Sequence, residues 1–387
     1  MLGICLWLGY AWDMSGPGLL DRVGQPKGGD FPHFYVLGQL VRAGRADLLY
    51  DMAAQSRMLA AIIPEKPLAY VPLYGPQVSL LFAPLATLPY GTALAVWDVA
   101  NILLYTIACW LVWRRCPFLQ RERATVLVLA AALPGFFSLI AWGQTSGLAL
   151  LLMVLGWLAW RDERYLLAGV AFGSLVFKPQ LFVPAAAVLL LAGPWRVAAT
   201  TLASALLQLV FTWQRFGTAV MQQYAHALIQ TGRVMSWIEP RPWATHSSRA
   251  FFTMLAPRPW IAMTIYALFA IAIVALAVTG SRRHADLNQR FAILLLATLL
   301  LAPHLGIADL VILAPVILLM ANWARGNPGY SDRFAWPLCA VYATPLLGWT
   351  ARWTHLQLSV AAMAWLFWVC VKSEGRDHLE SPEDLPA

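Results

Sequence analysis

Charged side chains are scarce in this sequence: 12% of the residues are Asp, Glu, Lys or Arg, about half the share in an ordinary soluble domain. Hydrophobic residues make up 60%. No water-soluble domain can turn that much apolar surface inward, so a soluble enzyme is excluded and lipid takes the place of water as the solvent. Cysteine is sparse too. Cys5, Cys109, Cys339 and Cys370 lie in apolar runs, and Cys116 lies in an arginine-rich loop. With no CxxC pair there is no thiolate metal site and no disulfide framework, and the five read as small apolar fillers. Nucleotide fingerprints are also missing: neither a GxGxxG nor a P-loop occurs.

What is present is a succession of apolar runs. A helix needs about 20 residues to cross the hydrocarbon, and the runs predict spans near 2–12, 91–113, 124–141, 145–160, 165–178, 181–193, 197–214, 259–279, 290–302, 308–323, 334–349 and 355–371. The fold class that follows is an all-α polytopic membrane protein of about 11–12 transmembrane helices. The first run is short for a crossing and lacks the basic flank of a signal peptide. The proline-bounded run Pro76 to Pro89 reads as a re-entrant or interfacial helix. Residues 1–371 form one integral-membrane domain on this reading, and 372–387 an acidic cytoplasmic tail.

The net charge of +8 does not point to nucleic acid, because the basic residues sit in short loops between spans, where they set orientation. Arg114, Arg115, Arg121 and Arg123 place their loop in the cytoplasm. Alternation then puts Arg161, Arg164, Arg196, Arg282, Arg283, Arg290, Arg325 and Arg333 on the same side. The segments 13–75 and 215–258 become two long outer loops. Within the first, apolar groups at helical spacing over 34–42 and 48–62 predict amphipathic helices lying on the outer membrane surface.

The chemistry-bearing residues gather on that outer side, and polar groups at membrane depth are costly and often functional. Asp30 follows Gly28 and Gly29; it reads either as the N-cap of a helix starting at Phe31 or as a general base for a hydroxyl. Gln144, in the turn Trp142-Gly143-Gln144, reads as a sugar ligand or as a turn residue. Lys178 interrupts an apolar stretch in Lys178-Pro179-Gln180. It needs a counter-charge, from protein or from a ligand phosphate, unless it snorkels to the headgroups. His304 and Asp309 form a third cluster, weak as a metal pair. The loop 215–258 adds Arg233, Glu239, Arg241, His246 and Arg249, of which the arginines could clamp a phosphate or simply be solvated. Asp98, inside the 91–113 span, has no clear assignment.

In order along the chain come Gly29-Asp30-Phe31 with Phe34 and Tyr35, Gly44, Leu49-Tyr50-Asp51, Tyr74-Gly75-Pro76, Phe82-Ala83-Pro84-Leu85, Leu88-Pro89, Trp97, Gly143-Gln144, Ala168-Gly169, Lys178-Pro179-Gln180-Leu181, Trp195-Arg196 and Ala302-Pro303-His304 with Asp309-Leu310. Over roughly 20–325 this pattern resembles glycosyltransferase family 87. Two departures are Gly75, where the family often has proline, and Ala308, where it often has tyrosine. The resemblance implies a GT-C-like fold and an enzyme moving a hexose, mannose first, from a polyprenyl-phosphate donor to a glycan or glycolipid acceptor. Transfer would occur with inversion on the extracytoplasmic side of a bacterial inner or plasma membrane. It implies Asp30 as catalytic base. Lys178, Gln180, Arg233 and Arg241 are then candidates for the donor phosphate, and Gln144, Tyr35, His304 and Asp309 for the sugar or acceptor. The scattered carboxylates leave the need for a divalent cation open. The rival readings are a transporter or flippase of lipid-linked sugars, which would favour repeated halves with helices broken at the midplane, and a non-catalytic membrane scaffold.

Overall fold

The computed structural model describes residues 2–284 and 286–373; residues 374–387 of the expected acidic tail lie outside them. The helices in chain order are α1 (Leu2–Met14), α2 (Phe31–Arg42), α3 (Met52–Ile62), α4 (Gln77–Phe82), α5 (Tyr90–Trp113), α6 (Arg123–Ala131), α7 (Pro134–Ala141), α8 (Ser146–Arg161), α9 (Tyr165–Gly173), α10 (Pro179–Ala192), α11 (Trp195–Gln230), α12 (Met235–Ile238), α13 (Ser248–Leu255), α14 (Pro259–Arg283), α15 (Leu287–Leu301), α16 (Leu313–Gly326), α17 (Ser331–Ala343), α18 (Ala351–Thr354) and α19 (Leu358–Lys372). No strand occurs among the described residues.

Four segments are long and apolar enough to cross a bilayer: α5, α11, α14 and the helical stretch Ile307–Gly326 that contains α16. The pair formed by Pro117–Ala131 and α7, bent by 45°, makes a fifth if counted as one span. Tyr165–Phe177, α8, α10, α15 and α19 are shorter apolar helices. A helix of 14 residues, such as α10, rises only about 21 Å, less than the ~30 Å of hydrocarbon. The site described below is built from three turns that end such helices.

The sequence explains where each helix goes. In α5 the residues Ala93, Leu94, Trp97, Asn101, Tyr105 and Ala108 are buried, while Val96, Val99, Ile102, Leu103, Ile107 and Trp110 are exposed. Both sets are largely apolar, as expected of a helix with protein on one side and lipid on the other. In α15 every side chain from Phe291 to Leu301 is buried. It is apolar all round, and α10, α14, α16 and α19 pack against it. The break between α6 and α7 comes from Pro134, which has no N–H to donate. The carbonyls of Leu129, Ala130 and Ala131 near this break each accept a side-chain donor: Tyr342 Oη at 2.9 Å, Tyr105 Oη at 2.8 Å and Trp7 Nε1 at 2.8 Å. In hydrocarbon such carbonyls have no water to turn to. This is what seats α1, whose Trp7 and Tyr10 rings pack on Phe136 and Phe137.

The segments expected as loops are largely helical, and they pack on protein. In α2, Phe31, His33, Phe34, Tyr35, Val36, Leu37 and Leu40 are buried, and Phe34 stacks on Phe82 of α4 at 4.9 Å. The helix predicted over 48–62 is shorter, as α3, and buries Leu59 against Leu40 and Val220. Both bury apolar residues against protein; apolar spacing marks a buried face without saying whether lipid or protein covers it. The run Pro76 to Pro89 does not cross: α4 is 6 residues long and is followed by a 3-10 turn, Leu85–Thr87. The span predicted to end at 214 continues past a break at Gly217 (φ 82°) to Gln230, so the first part of the second long loop is helix.

The arginine-rich turns meet at one end of the bundle, where Arg325 pairs with Glu122, Phe118 N donates to Asn322 Oδ1 at 3.0 Å and Arg161 reaches Asn288 at 3.3 Å. The segments 13–75 and 215–258 meet at the other. In a background with the native cysteines replaced, Ile229→Cys should react with a membrane-impermeant maleimide on intact cells, and Phe118→Cys only after permeabilisation. Labelling of both from the same side would contradict this arrangement.

Candidate functional site

The site begins where the loop 28–30 lies against the turn 142–144. Asp30 N donates to Trp142 O at 3.0 Å, and Tyr70 Oη holds Gly29 O at 2.6 Å. The approach is possible only for glycine: a Cβ on Gly29 (φ 51°) would stand 2.9 Å from Trp142 Cα, and one on Gly143 (φ 56°) 2.9 Å from Gly28 O. From α5, Trp97 Nε1 donates to Gly143 O at 2.8 Å and Asn101 Nδ2 to Gln144 O at 3.0 Å. Asp30 occupies the N-cap position of α2, but its side chain makes no capping bond. The carboxylate accepts instead from Gln144 Nε2 at 2.5 Å, while Tyr74 Oη donates to Gln144 Oε1 at 3.1 Å. Burial pushes the Asp30 carboxyl up to about 6, against the opposing pull of the Gln144 bond and of nearby His304 and Lys178.

Beneath this layer three turns are tied together. Lys178 Nζ stands 2.5 Å from Asp309 Oδ1 and donates to Ser146 Oγ at 2.7 Å; Ser146 Oγ donates to Asp309 Oδ1 at 2.6 Å. The other oxygen of Asp309 accepts Gly306 N at 3.1 Å. Both charged groups are buried. On the far wall, Glu239 pairs with Arg249 and accepts from His304 Nδ1 at 2.8 Å. Arg249 Nε in turn donates to Pro303 O at 2.8 Å. This leaves His304 Nε2 without a hydrogen-bond partner among the described residues.

Asp30, Gln144 and His304 border a cavity of about 650 Å³. Asp30, His33, Gln144, Gln180 and His304 belong to its polar part. Apolar walls come from Pro179, Val183 and Pro184 of α10, Leu228 of α11, Trp237 and Ile238 of α12, Tyr266 of α14 and Leu301 of α15. Val183, 62% exposed, stands at its rim. Of the sequence-predicted residues, Asp30, Gln144, Gln180 and His304 line this cavity. Five others require correction. Lys178 and Asp309 neutralise each other and do not line it. Tyr35 is buried among Phe31 and Tyr90, with its hydroxyl given to Leu88 O at 2.7 Å. Arg233 and Arg241 are exposed and do not line it; Arg249 is the loop arginine that turns inward. Sequence reasoning missed His33, Tyr70 and Ser146. The available signal was proximity in the chain: His33 lies one helical turn after Asp30, and Ser146 two residues after Gln144. Among the described residues no group of His, Cys, Asp and Glu is arranged to hold a metal ion.

A family model, glycosyltransferase family 87, matches residues 73–303, more than half of the chain. Comparison with curated proteins and with solved structures found no match.

The buried pair generates a double-variant prediction. Lys178→Met alone strands the Asp309 carboxylate and should destabilise the protein by about 3–5 kcal/mol. Lys178→Met with Asp309→Leu removes both charges and should recover a large part of that loss. Denaturant unfolding in micelles measures both, and additive effects of the two substitutions would count against the pairing.

Proposed function

Since this chain belongs to glycosyltransferase family 87 and is a membrane glycosyltransferase, we propose that its donor is a polyprenyl-phosphate hexose, with mannose as the sugar, and that transfer occurs with inversion on the extracytoplasmic side. The observation that carries this reading is the cavity itself, in which an uncapped aspartate stands at one end of an apolar chamber. A lipid-linked sugar needs both parts. The polar end suits the hexose and the reacting oxygen. The walls from α10, α11, α14 and α15 suit isoprene units, and the exposed rim at Val183 offers an entry from lipid. These walls form the proposed lipid groove.

In the proposed reaction the Asp30 carboxylate takes the proton of an acceptor hydroxyl, on a glycan or glycolipid. The oxygen attacks the anomeric carbon from the face opposite the phosphate. The carbon–oxygen bond to phosphate breaks with its electron pair going to the phosphate oxygen, and polyprenyl phosphate leaves. Gln144, bonded to Asp30 at 2.5 Å and braced by Tyr74, fixes the base in place. Lys178 is tied to Asp309 and does not line the cavity, so in this proposal it does not serve the leaving group by contact. That task passes to His304, held by Glu239 and Arg249, with Gln180 beside it in the wall. Preorganised donors of this kind act where charge develops.

Asp30→Asn removes the proton acceptor while keeping size and hydrogen bonding. It should lower kcat by about 10²–10⁴-fold with little change in donor KM, measured with purified protein and a radiolabelled hexosyl polyprenyl phosphate; normal turnover would sink the proposed mechanism. The acid limb of the pH profile provides a second test. A base whose carboxyl is raised to about 6 is protonated below that pH, so kcat/KM should fall towards tenfold per pH unit below about 6 and level off above it. A profile flat down to pH 4.5 would exclude Asp30 as the base.

A further inference from the structure

A second cavity, of about 740 Å³, opens at the end of the molecule where the segments 13–75 and 215–258 meet. One wall is the part of α11 beyond Gly217, and the other comes from the start of α3 with Val71 and Pro72. This part of α11 is fixed in place: Val220 is buried in the same cluster as Leu40 and Leu59, and the Tyr224 ring lies 5.8 Å from that of Tyr50. Towards the groove it presents Gln222, Gln223, His226 and Gln230, which recur at three- and four-residue spacing along one side of the helix. Gln222, Gln223 and His226 are exposed and Gln230 is half-buried, and no other side chain among the described residues bonds to any of them. No lysine or arginine lines the groove, although the chain carries a net charge of +8. On the facing wall Asp47 pairs with Arg45, and Asp51 caps α3 by accepting from Ala54 N at 3.0 Å.

The groove adjoins the chamber that holds Asp30. Val71 belongs to the lining of both, and where Leu228 and Thr231 border the chamber, Ala227 and Gln230 border the groove. Tyr50 of the groove donates to Tyr74 O at 2.8 Å, and Tyr74 is the residue that braces Gln144 beside Asp30. In the proposed reaction the apolar walls of the chamber take the donor's lipid, so the acceptor needs separate, polar ground next to the base. We propose that this groove is an acceptor subsite, holding the saccharide units of a neutral glycan that follow the unit whose hydroxyl reaches Asp30. The lining selects the class of ligand. Each glutamine amide offers two donors and an acceptor oxygen, the complement of neighbouring hydroxyls on a pyranose ring. With no lysine or arginine, the groove has no charged donor for a carboxylate, sulfate or phosphate, and the Asp51 carboxylate opposes an anion. An apolar chain would leave the amides without partners.

The inference rests on the proposed transfer to a glycan acceptor, so the two substrates are measured separately, by equilibrium binding to the full chain in nanodiscs. The probes are mannotriose as a neutral saccharide, trigalacturonate as an acidic one, and farnesyl-phosphate mannose for the donor. The wild type should bind mannotriose and should bind trigalacturonate more weakly. Gln223→Ala combined with Gln230→Ala, which keeps a strong helix former at both positions, should weaken mannotriose binding about tenfold. Ala227→Trp, which fills the groove without removing a polar group, should abolish it. Affinity for farnesyl-phosphate mannose should stay the same in both variants, which also shows that they are folded. If the wild type fails to bind mannotriose or binds trigalacturonate equally well, or if mannotriose binding is unchanged in either variant, the acceptor subsite is overturned and the donor reading stands. Failure of the wild type to bind farnesyl-phosphate mannose, with mannotriose bound as expected, would overturn the donor reading and leave the subsite.

Discussion

The buried pair between Lys178 and Asp309 is the constraint on which the site's geometry depends. Each charge sits where water cannot reach it, and each is tolerable only because the other is within hydrogen-bond distance. Ser146 completes the knot. The three residues come from three turns that are far apart in sequence, so satisfying one pair of charges sets the relative height of α8, α10 and the segment leading into α16. Those same turns carry Gln144, Gln180 and His304 to the cavity. The pair is thus a positioning device, in keeping with the general finding that buried ion pairs contribute specificity of arrangement more reliably than net stability.

Above that knot the structure sustains an unfavourable arrangement at Asp30. A carboxylate at a helix N-terminus would ordinarily turn back to cap it. Here α2 leaves Asp30 uncapped, and Gln144 holds the group towards the chamber. Two glycines make this possible, since only without side chains can the loop 28–30 lie against the turn 142–144. Burial is what raises the proton affinity of Asp30.

Much of this was legible in the order of residues. The scarcity of charge and the length of the apolar runs implied a membrane-embedded helical protein, because backbone polar groups in lipid can be satisfied in few other ways. The loop arginines predicted two ends of unlike character. Asp30, Gln144, Gln180 and His304 stood out because polar residues are conspicuous in such a sequence. What misled was the assumption that an isolated charge serves a ligand. Lys178 and Asp309 were each suspected of touching substrate, and they touch each other. Tyr35 lay beside Asp30 in the chain but on a face of α2 that meets α5. His33, which lines the chamber, carries no motif that sets it apart in the sequence.

The sequence by itself determined the solvent, the helical class and the end of the molecule at which polar side chains gather, because these depend on composition and on the period of apolar residues, which are local properties. Only the tertiary structure decided which charges cancel, which face of α2 meets the chamber and where the apolar walls lie. Those outcomes follow from contacts between turns separated by more than a hundred residues, and no local pattern along the chain encodes a distance of that kind.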